Sequence, residues 1–149
     1  MQIVEVTELF IKDVFEWRND KITREMSFSS EKIKFESHLY WFKNMMNDKN
    51  QFVYVGIEEE ERIGICSFNL DETNKVAEVS INLNPKMRGK NYGFQLLYLS
   101  REKFFTKQKI DLIAKIKETN EPSKRLFNKA GFFIYDKEDN FLYYKYLKD

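Results

Sequence analysis

The sequence lacks a second cysteine, a long apolar run and an excess of either charge. Its one cysteine, Cys66, cannot form an internal disulfide, so we expect a reducing compartment and a cytoplasmic location. Cys66 lies in the strand-like run Ile63–Phe68 and is interpreted as a small core residue, since no histidine stands in a recognisable arrangement with it. No segment approaches the roughly 20 apolar residues of a membrane-spanning helix. Met1–Leu9 does not resemble a signal peptide, and no membrane partner is predicted.

The charge balance and the missing motifs exclude several classes of protein. The chain has 25 basic and 24 acidic residues, whereas dedicated nucleic-acid-binding proteins are usually strongly basic, so no nucleic-acid partner is predicted. No Gly-Lys-Ser/Thr sequence ends a glycine-rich loop, which excludes nucleotide hydrolysis of the P-loop type. No metal site is predicted. The length of 149 residues suits one core, and no linker or repeat interrupts the chain, so we predict a single domain over residues 1–149.

Apolar periodicity predicts a mixed α+β domain with a mostly antiparallel sheet of six or seven strands and about four helices. Strands are predicted over residues 2–6, 51–58, 62–70, 75–83, 110–116, 132–135 and 141–147, and helices over 7–18, 34–46, 93–106 and 123–130. Residues 20–30 are polar and are predicted to be irregular. The order is β-α-α-β-β-β-α-β-α-β-β. A helical crossover makes the strand at 110–116 parallel to the strand at 75–83.

The loop Arg88-Gly89-Lys90-Asn91-Tyr92-Gly93 joins a predicted strand to a predicted helix. The first N–H groups of a helix are unpaired, and the helix dipole adds positive potential at that end. Arg88 and Lys90 add full charges. Such a loop is a candidate anion site, although short basic loops that contain glycine are common.

A second motif follows the loop Arg88–Gly93 further along the chain, with the sequence Asn120-x-x-Ser123-x-x-Leu126-Phe127-x-Lys129-x-Gly131-Phe132. Together the two motifs resemble the GNAT superfamily of acetyl-CoA-dependent N-acetyltransferases. The loop is similar to the family's pyrophosphate-binding pattern, Arg/Gln-x-x-Gly-x-Gly/Ala, and the second stretch is similar to the second family motif. The predicted element order extends the resemblance over essentially the whole chain. It implies a GNAT-type fold, acetyl-CoA as cosubstrate, and transfer of an acetyl group to a primary amine by direct attack on the thioester.

The chain departs from the family pattern at two positions. Asn91 stands where the family usually has its first glycine. Asparagine tolerates the left-handed conformation better than most residues, so we expect the turn to form, with a side chain added near the phosphates. Phe127 stands where many members have a tyrosine that acts as general acid, and phenylalanine has no proton to donate.

The resemblance also implies which residues hold the cofactor. The amides of the loop would bind the pyrophosphate, and the backbone of the 75–83 strand would pair with the pantetheine arm, aided by splaying from the 110–116 strand. Asn120 would bind the pantetheine, and Ser123 would lie near the sulfur as a catalytic residue. The complete set implied for cofactor binding is Ile81, Asn82, Leu83, Arg88, Gly89, Lys90, Asn91, Tyr92, Gly93, Asn120 and Phe127.

Glu78 is the candidate general base, because it matches a strand glutamate that many relatives use directly or through water. Partial burial there would raise the pKa of the carboxyl toward neutrality. The alternative is an exposed strand glutamate with no role. Ser67 and Ser80 are candidates to hold a water, and Tyr92 and Tyr135 are candidates for the missing acid.

For the acceptor, the segments Trp17-Arg18-Asn19 and His38-x-x-Trp41-Phe42 resemble the first two helices of amino-sugar nucleotide N-acetyltransferases of nonulosonic-acid pathways. Ribosomal-protein N-terminal acetyltransferases share part of this pattern. In the amino-sugar interpretation, Trp41 stacks on a ring and Arg18 or Arg24 contacts phosphate. Arg18, Asn19, His38 and Trp41 are therefore the candidate substrate-binding residues.

Structural roles remain open for the same side chains. Trp17, Trp41 and Phe42 are interpreted preferentially as packing between the two helices, with His38 as a cap or gap filler. The acceptor is predicted to be a small-molecule amine, most simply an amino-sugar nucleotide. N-terminal acetylation of a protein and a catalytically silent acyl-CoA-binding module are the alternatives. A homodimer is left open, because related enzymes often dimerise.

Overall fold

The computed structural model describes every residue from Met1 to Asp149, with seven strands and five α-helices. The strands are β1 (Gln2–Glu5), β2 (Gln51–Glu58), β3 (Glu61–Leu70), β4 (Val76–Leu83), β5 (Asp111–Lys117), β6 (Phe133–Glu138) and β7 (Phe141–Tyr146). The helices are α1 (Ile11–Asn19), α2 (Lys21–Met26), α3 (Phe35–Asn47), α4 (Tyr92–Phe105) and α5 (Glu121–Lys129). None of the helices is long and apolar enough to cross a membrane.

The seven strands form one sheet in the order β1-β2-β3-β4-β5-β7-β6. All neighbouring strands are antiparallel except β4 and β5, which are parallel because α4 crosses between them. This topology confirms the predicted mixed, mostly antiparallel α+β fold.

The prediction that residues 20–30 are irregular is wrong, because α2 lies within them. Asp20 is the N-cap of α2, and its carboxylate accepts a hydrogen bond from the Thr23 N–H at 3.1 Å. The cap stabilises a six-residue helix with no buried residue, which an apolar pattern does not reveal. The first predicted helix also begins differently, since Thr7 caps a single 3-10 turn over Glu8–Phe10 and α1 follows at Ile11.

Each face of the sheet has its own core. One face packs against α4 and α5 through a cluster of 17 buried residues, and the other packs against α1 and α3 through a cluster of 8. Cys66 is completely buried in the larger cluster, as predicted, and burial raises the pKa of its thiol to about 12. A thiol in this setting stays protonated and is no nucleophile.

The parallel contact between β4 and β5 is short. It covers only three pairs, from Val76 opposite Asp111 to Glu78 opposite Ile113. Beyond Glu78, β4 continues beside β3 to Leu83, whereas β5 continues beside β7 to Lys117. The two strands therefore diverge, as expected, and a cleft opens through the middle of the sheet.

Candidate active site

A cavity of about 1210 Å³ lies at the divergence of β4 and β5. The last five residues of β4, Val79–Leu83, line one side, and Ala114–Ile116 of β5 line the other. One end of the cavity reaches the loop before α4 and the start of α5. The other end lies below α1, α2 and α3. We name the first the cofactor end and the second the acceptor end, after the roles that the sequence resemblance implies for the residues there.

The loop at the cofactor end presents free main-chain donors. The N–H groups from Gly89 to Phe94 donate to no protein group, because they precede the first intrahelical bond of α4. Two positive φ angles turn the chain here, +76° at Gly89 and +62° at Asn91. Free N–H groups at a helix start form a binding site for phosphate.

Asn91 adopts the left-handed conformation that was expected of it. Its side chain does not cap α4, and its Oδ1 accepts a hydrogen bond from Lys129 Nζ at 3.0 Å. Lys129 also lies over the ring of Phe94, 4.6 Å from the centroid. The substitution of glycine by asparagine thus connects the loop to α5 through a lysine that lines the cavity.

Close packing fixes the loop against the strand and the second motif. A Cβ built on Gly93 would meet Leu83 Cδ1 at 3.5 Å and Leu126 Cδ2 at 3.6 Å, so the helix start lies directly against β4 and α5. Arg88, Gly89, Asn91, Tyr92 and Gly93 all line the cavity. Lys90 is exposed and is not among the lining residues.

The start of α5 supplies polar groups to the same end. Asn120 is the N-cap, and its Oδ1 accepts from the Ser123 N–H at 3.2 Å. The side-chain N–H groups of Asn120 and the hydroxyl of Ser123 donate to no protein group, and both residues line the cavity. Phe127 lines it as well but is buried, with its ring at 4.9 Å from that of Phe132 in an edge contact.

Glu78 and Ser80 alternate with buried residues of β4 and point to the face that carries α1 and α3. Ser67 lies opposite Ser80 on β3, and all three side chains line the cavity. Glu78 is exposed, so of the two alternatives left open for this residue the structure excludes the partly buried carboxylate. Of the two candidate acids, Tyr92 lines the cavity and Tyr135 does not.

At the acceptor end, Arg18 lies over Trp41 with its guanidinium carbon 3.9 Å from the ring centroid. Nη1 of Arg18 donates to His38 Nδ1 at 2.9 Å. Arg18 and Trp41 both line the cavity, and Trp41 is 39% exposed, so the preferred core role for Trp41 is wrong. Trp17 and Phe42 are buried in the core, as expected.

His38 does not contact the cavity, so the prediction that it binds substrate is wrong. It is completely buried, and its Nε2 lies 2.8 Å from the carbonyl oxygen of Ile11. A carbonyl only accepts, so Nε2 carries the proton and Nδ1 accepts from Arg18. Burial lowers the pKa of His38, the bond to Ile11 opposes that shift, and the charge of Arg18 adds to it. The neutral imidazole therefore orients Arg18.

Asn19 is also absent from the cavity wall. Its side-chain amide donates to the carbonyl of Ile33 at 2.8 Å and accepts from the N–H of Ile33 at 2.7 Å. These two hydrogen bonds join the ends of the segment 20–33, which we call the strap. The strap contains α2 and covers the acceptor end, and its Arg24 lines the cavity while bonding the carbonyl of Ser30 at 2.9 Å. Asn19 is thus a structural residue at the base of the strap.

Most of the charged side chains that line the cavity are basic. Six basic side chains and two acidic ones, Glu31 and Glu78, are among its residues. The basic residues are Arg18, Arg24, Arg88, Lys115, Arg125 and Lys129. No group of three or more His, Cys, Asp or Glu residues is placed to hold a metal ion. The net positive charge of these side chains suits anionic ligands.

Comparison with known proteins identifies the family and the fold. Residues 3–133 match the model of the acetyltransferase (GNAT) domain. Acetyltransferase PseH of Campylobacter jejuni subsp. jejuni serotype O:2 is 28% identical over 143 residues, which cover 89% of this chain and 83% of that protein. The crystal structure of a ribosomal-protein-alanine N-acetyltransferase from Brucella melitensis superposes with a TM-score of 0.83 at 20% identity, over 99% of both chains.

A second solved structure contains the cofactor. It is that of Campylobacter jejuni PseH in complex with acetyl coenzyme A, with a TM-score of 0.76 and 23% identity over 99% of this chain and 100% of that one. This chain belongs to the GNAT acetyltransferase family. It is an N-acetyltransferase, and its acetyl donor is acetyl-CoA.

Proposed function

We propose that this enzyme acetylates the primary amine of an amino-sugar nucleotide. The observation that carries the proposal is the Arg18–Trp41 pair at the acceptor end, where a fixed cation lies against an aromatic wall. Guanidinium groups suit phosphate, and an aromatic ring stacks on a sugar or a base. The basic lining disfavours a polycationic amine, since like charges repel.

The cofactor end fits the phosphates and the pantetheine arm of acetyl-CoA. The free N–H groups from Gly89 to Phe94 would bind the pyrophosphate, with Arg88 adding charge. The open edge of β4 at Ile81–Leu83 would pair with the pantetheine amides as an added strand. The unpaired side-chain amide of Asn120 would donate to the same arm.

Acetyl-CoA supplies the activated acetyl group as a thioester. Glu78 would accept the proton of the attacking amine, directly or through a water held by Ser67 and Ser80. An N–H of β4 beyond Glu78 would polarise the thioester carbonyl. As the amine nitrogen forms its bond to the acetyl carbon, the C–S bond breaks, and the hydroxyl of Ser123 would donate a hydrogen bond to the leaving thiolate, with Tyr92 as the second choice, because Phe127 has no hydroxyl. The proton that the amine loses to Glu78 balances the charge of the thiolate.

The test is release of free CoA thiol from acetyl-CoA in the presence of matched acceptors. A nucleotide-linked amino sugar, the same amino sugar without the nucleotide, spermidine and an N-terminal alanine peptide form the panel. We expect the nucleotide-linked sugar to give the highest kcat/KM, at least about tenfold above the free sugar, since one charge-assisted contact contributes about 1.5–3 kcal/mol.

Other outcomes would identify another function. Preference for the peptide would favour N-terminal acetylation, and preference for spermidine would contradict the role given to the basic lining. Stabilisation by acetyl-CoA without turnover of any amine would indicate a silent acyl-CoA-binding module.

A further inference from the structure

The arginine of the cofactor loop is held by the strap. Nη2 of Arg88 donates to Asp20 Oδ2 at 2.5 Å and to Thr23 Oγ1 at 3.0 Å. Both bonds use one terminal nitrogen, so Nη1 and Nε donate to no protein group. Burial disfavours ionisation of Asp20, but the bonds from Arg88 and from the Thr23 N–H together lower its pKa below the ordinary value. A charged pair therefore connects the loop to the start of α2.

The strap has a second attachment on the opposite side of the cleft. Lys117 Nζ donates to the carbonyl of Glu25 at 2.8 Å. The ring of Phe28 lies 5.3 Å from that of Phe141 on β7, and Lys115 Nζ lies 4.7 Å from the centroid of Phe28. The strap thus spans the cleft from the cofactor loop to β5 and β7.

We propose that Asp20 and Thr23 are positioning residues that hold Arg88 toward the pyrophosphate and transmit occupancy of the cofactor end to the strap. The proposal rests on the cofactor site given above. Arg88 would keep its Nη2 bonds to α2, and its Nη1 and Nε, which have no protein partner, would donate to the phosphates. A guanidinium that binds groups on both sides moves less, and the start of α2, which is bonded to it, then moves less as well.

Whether cofactor binding tightens or loosens the strap depends on whether Arg88 contacts Asp20 and the phosphates at the same time. If Arg88 contacts both groups at once, cofactor binding and closure of the strap favour each other, and the coupling is reciprocal. The acceptor end would then be best formed after the cofactor has bound. If Arg88 instead left Asp20 for the phosphate, cofactor binding would loosen the strap.

Amide hydrogen exchange separates these outcomes, with CoA as the probe. Isothermal titration first fixes a saturating CoA concentration for each variant, and exchange is then followed in peptides covering 20–33 and 89–94. In the wild type we expect CoA to slow exchange in both regions, by about two- to fivefold in the strap, which is the scale of a partly exposed ion pair. In Asp20→Asn, slowing should persist at 89–94 and disappear from the strap.

Asn is itself a good N-cap, so Asp20→Asn removes the charge toward Arg88 while keeping the start of α2. Thr23→Val tests the second bond and should reduce the slowing in part. Asp13→Asn is the matched control, because Asp13 pairs with Arg62 on β3 instead of Arg88 and should leave strap protection unchanged.

Two results would overturn the proposal while leaving the cofactor site intact. The first is equal slowing of the strap in wild type and Asp20→Asn, and the second is faster exchange in the wild-type strap on addition of CoA. Absence of both binding heat and slowing at 89–94 would instead overturn the cofactor site and this coupling with it.

Discussion

The cofactor end is built from main-chain groups, whereas the acceptor end is built from side chains that are held by other side chains. At the first end, free N–H groups and two positive φ angles define the site. At the second, Arg18 depends on His38, and the covering strap depends on Asn19. A main-chain site tolerates many substitutions that preserve φ and ψ. A site whose side chains are held by other side chains is sensitive to a single replacement. The two ends should therefore respond differently to mutation.

The largest effect is expected between the two ends, at Glu78. Glu78→Gln keeps the shape but cannot accept a proton, so kcat should fall by about 100-fold or more, with little change in the Kd for CoA. Steady-state kinetics and titration calorimetry measure the two quantities. Glu31→Gln is the control, because Glu31 is the other acidic side chain on the cavity wall. Unchanged kcat in Glu78→Gln would remove Glu78 as the base.

The second effect concerns Arg18. Arg18→Gln should raise the KM for the acceptor about tenfold or more while kcat stays within a few fold, because a contact made equally in ground and transition states is lost. The Kd for CoA should not change, since Arg18 lies at the other end of the cavity. Arg125→Gln is the control, because Arg125 lines the cofactor end of the same cavity and its replacement should leave the KM for the acceptor unchanged. A loss of CoA affinity in Arg18→Gln would contradict the division between the two ends.

The third effect is on stability and comes from His38. Its pKa is lowered in the folded state from 6.5, so between the folded value and about 6.5 the unfolded chain binds more protons. The contribution of the neutral imidazole is fully present above pH 6.5 and is lost as the pH falls through that window.

Urea unfolding between pH 5 and pH 7.5 measures this loss. The free energy of unfolding should decrease on acidification more steeply in the wild type than in His38→Gln. The comparison removes the contribution of carboxylates such as Asp20, whose lowered pKa gives a loss further into the acid range. Parallel curves for the two proteins would mean that His38 does not titrate in this window.

The smallest effect is expected at Asn91, where the main chain carries the function. Asn91→Gly should change the Kd for CoA by less than about threefold, because glycine adopts the same positive φ without strain. Asn91→Val should cost roughly 1–2 kcal/mol of stability, since a branched residue fits the left-handed region poorly. Calorimetry and thermal unfolding test both. A tenfold loss in Asn91→Gly would show that the side chain, with Lys129, takes part in binding.

The contrast between a main-chain site and a side-chain site also explains which features the sequence could predict. The order of strand, loop and helix around Arg88–Gly93 follows from local signals, and the parallel β5 follows from the crossover. The left-handed turn at Asn91 was predictable from the family pattern, which has a glycine at this position, and from the tolerance of asparagine for that conformation. Signals for α2 were present, since Asp20 and Thr23 have N-cap spacing, but the helix buries no residue and leaves no apolar period.

At the acceptor end, sequence spacing did not separate the roles of neighbouring aromatic and polar side chains. His38 and Trp41 are three residues apart on α3, yet one is completely buried and the other is 39% exposed. The difference depends on how α1 packs across α3 and on the carbonyl of Ile11, which is remote in sequence. Asn19 likewise bonds Ile33 across the strap instead of facing the ligand.

The three-pair contact between β4 and β5 has a consequence for resistance to proteolysis. It divides the sheet into a half of four strands and a half of three, joined at one short seam. A pantetheine arm bound in the cleft would contact both halves of the sheet and stabilise them against separation. At 100 times its Kd a ligand stabilises the fold by about 2.7 kcal/mol. We therefore expect limited proteolysis of the chain to slow with added acetyl-CoA.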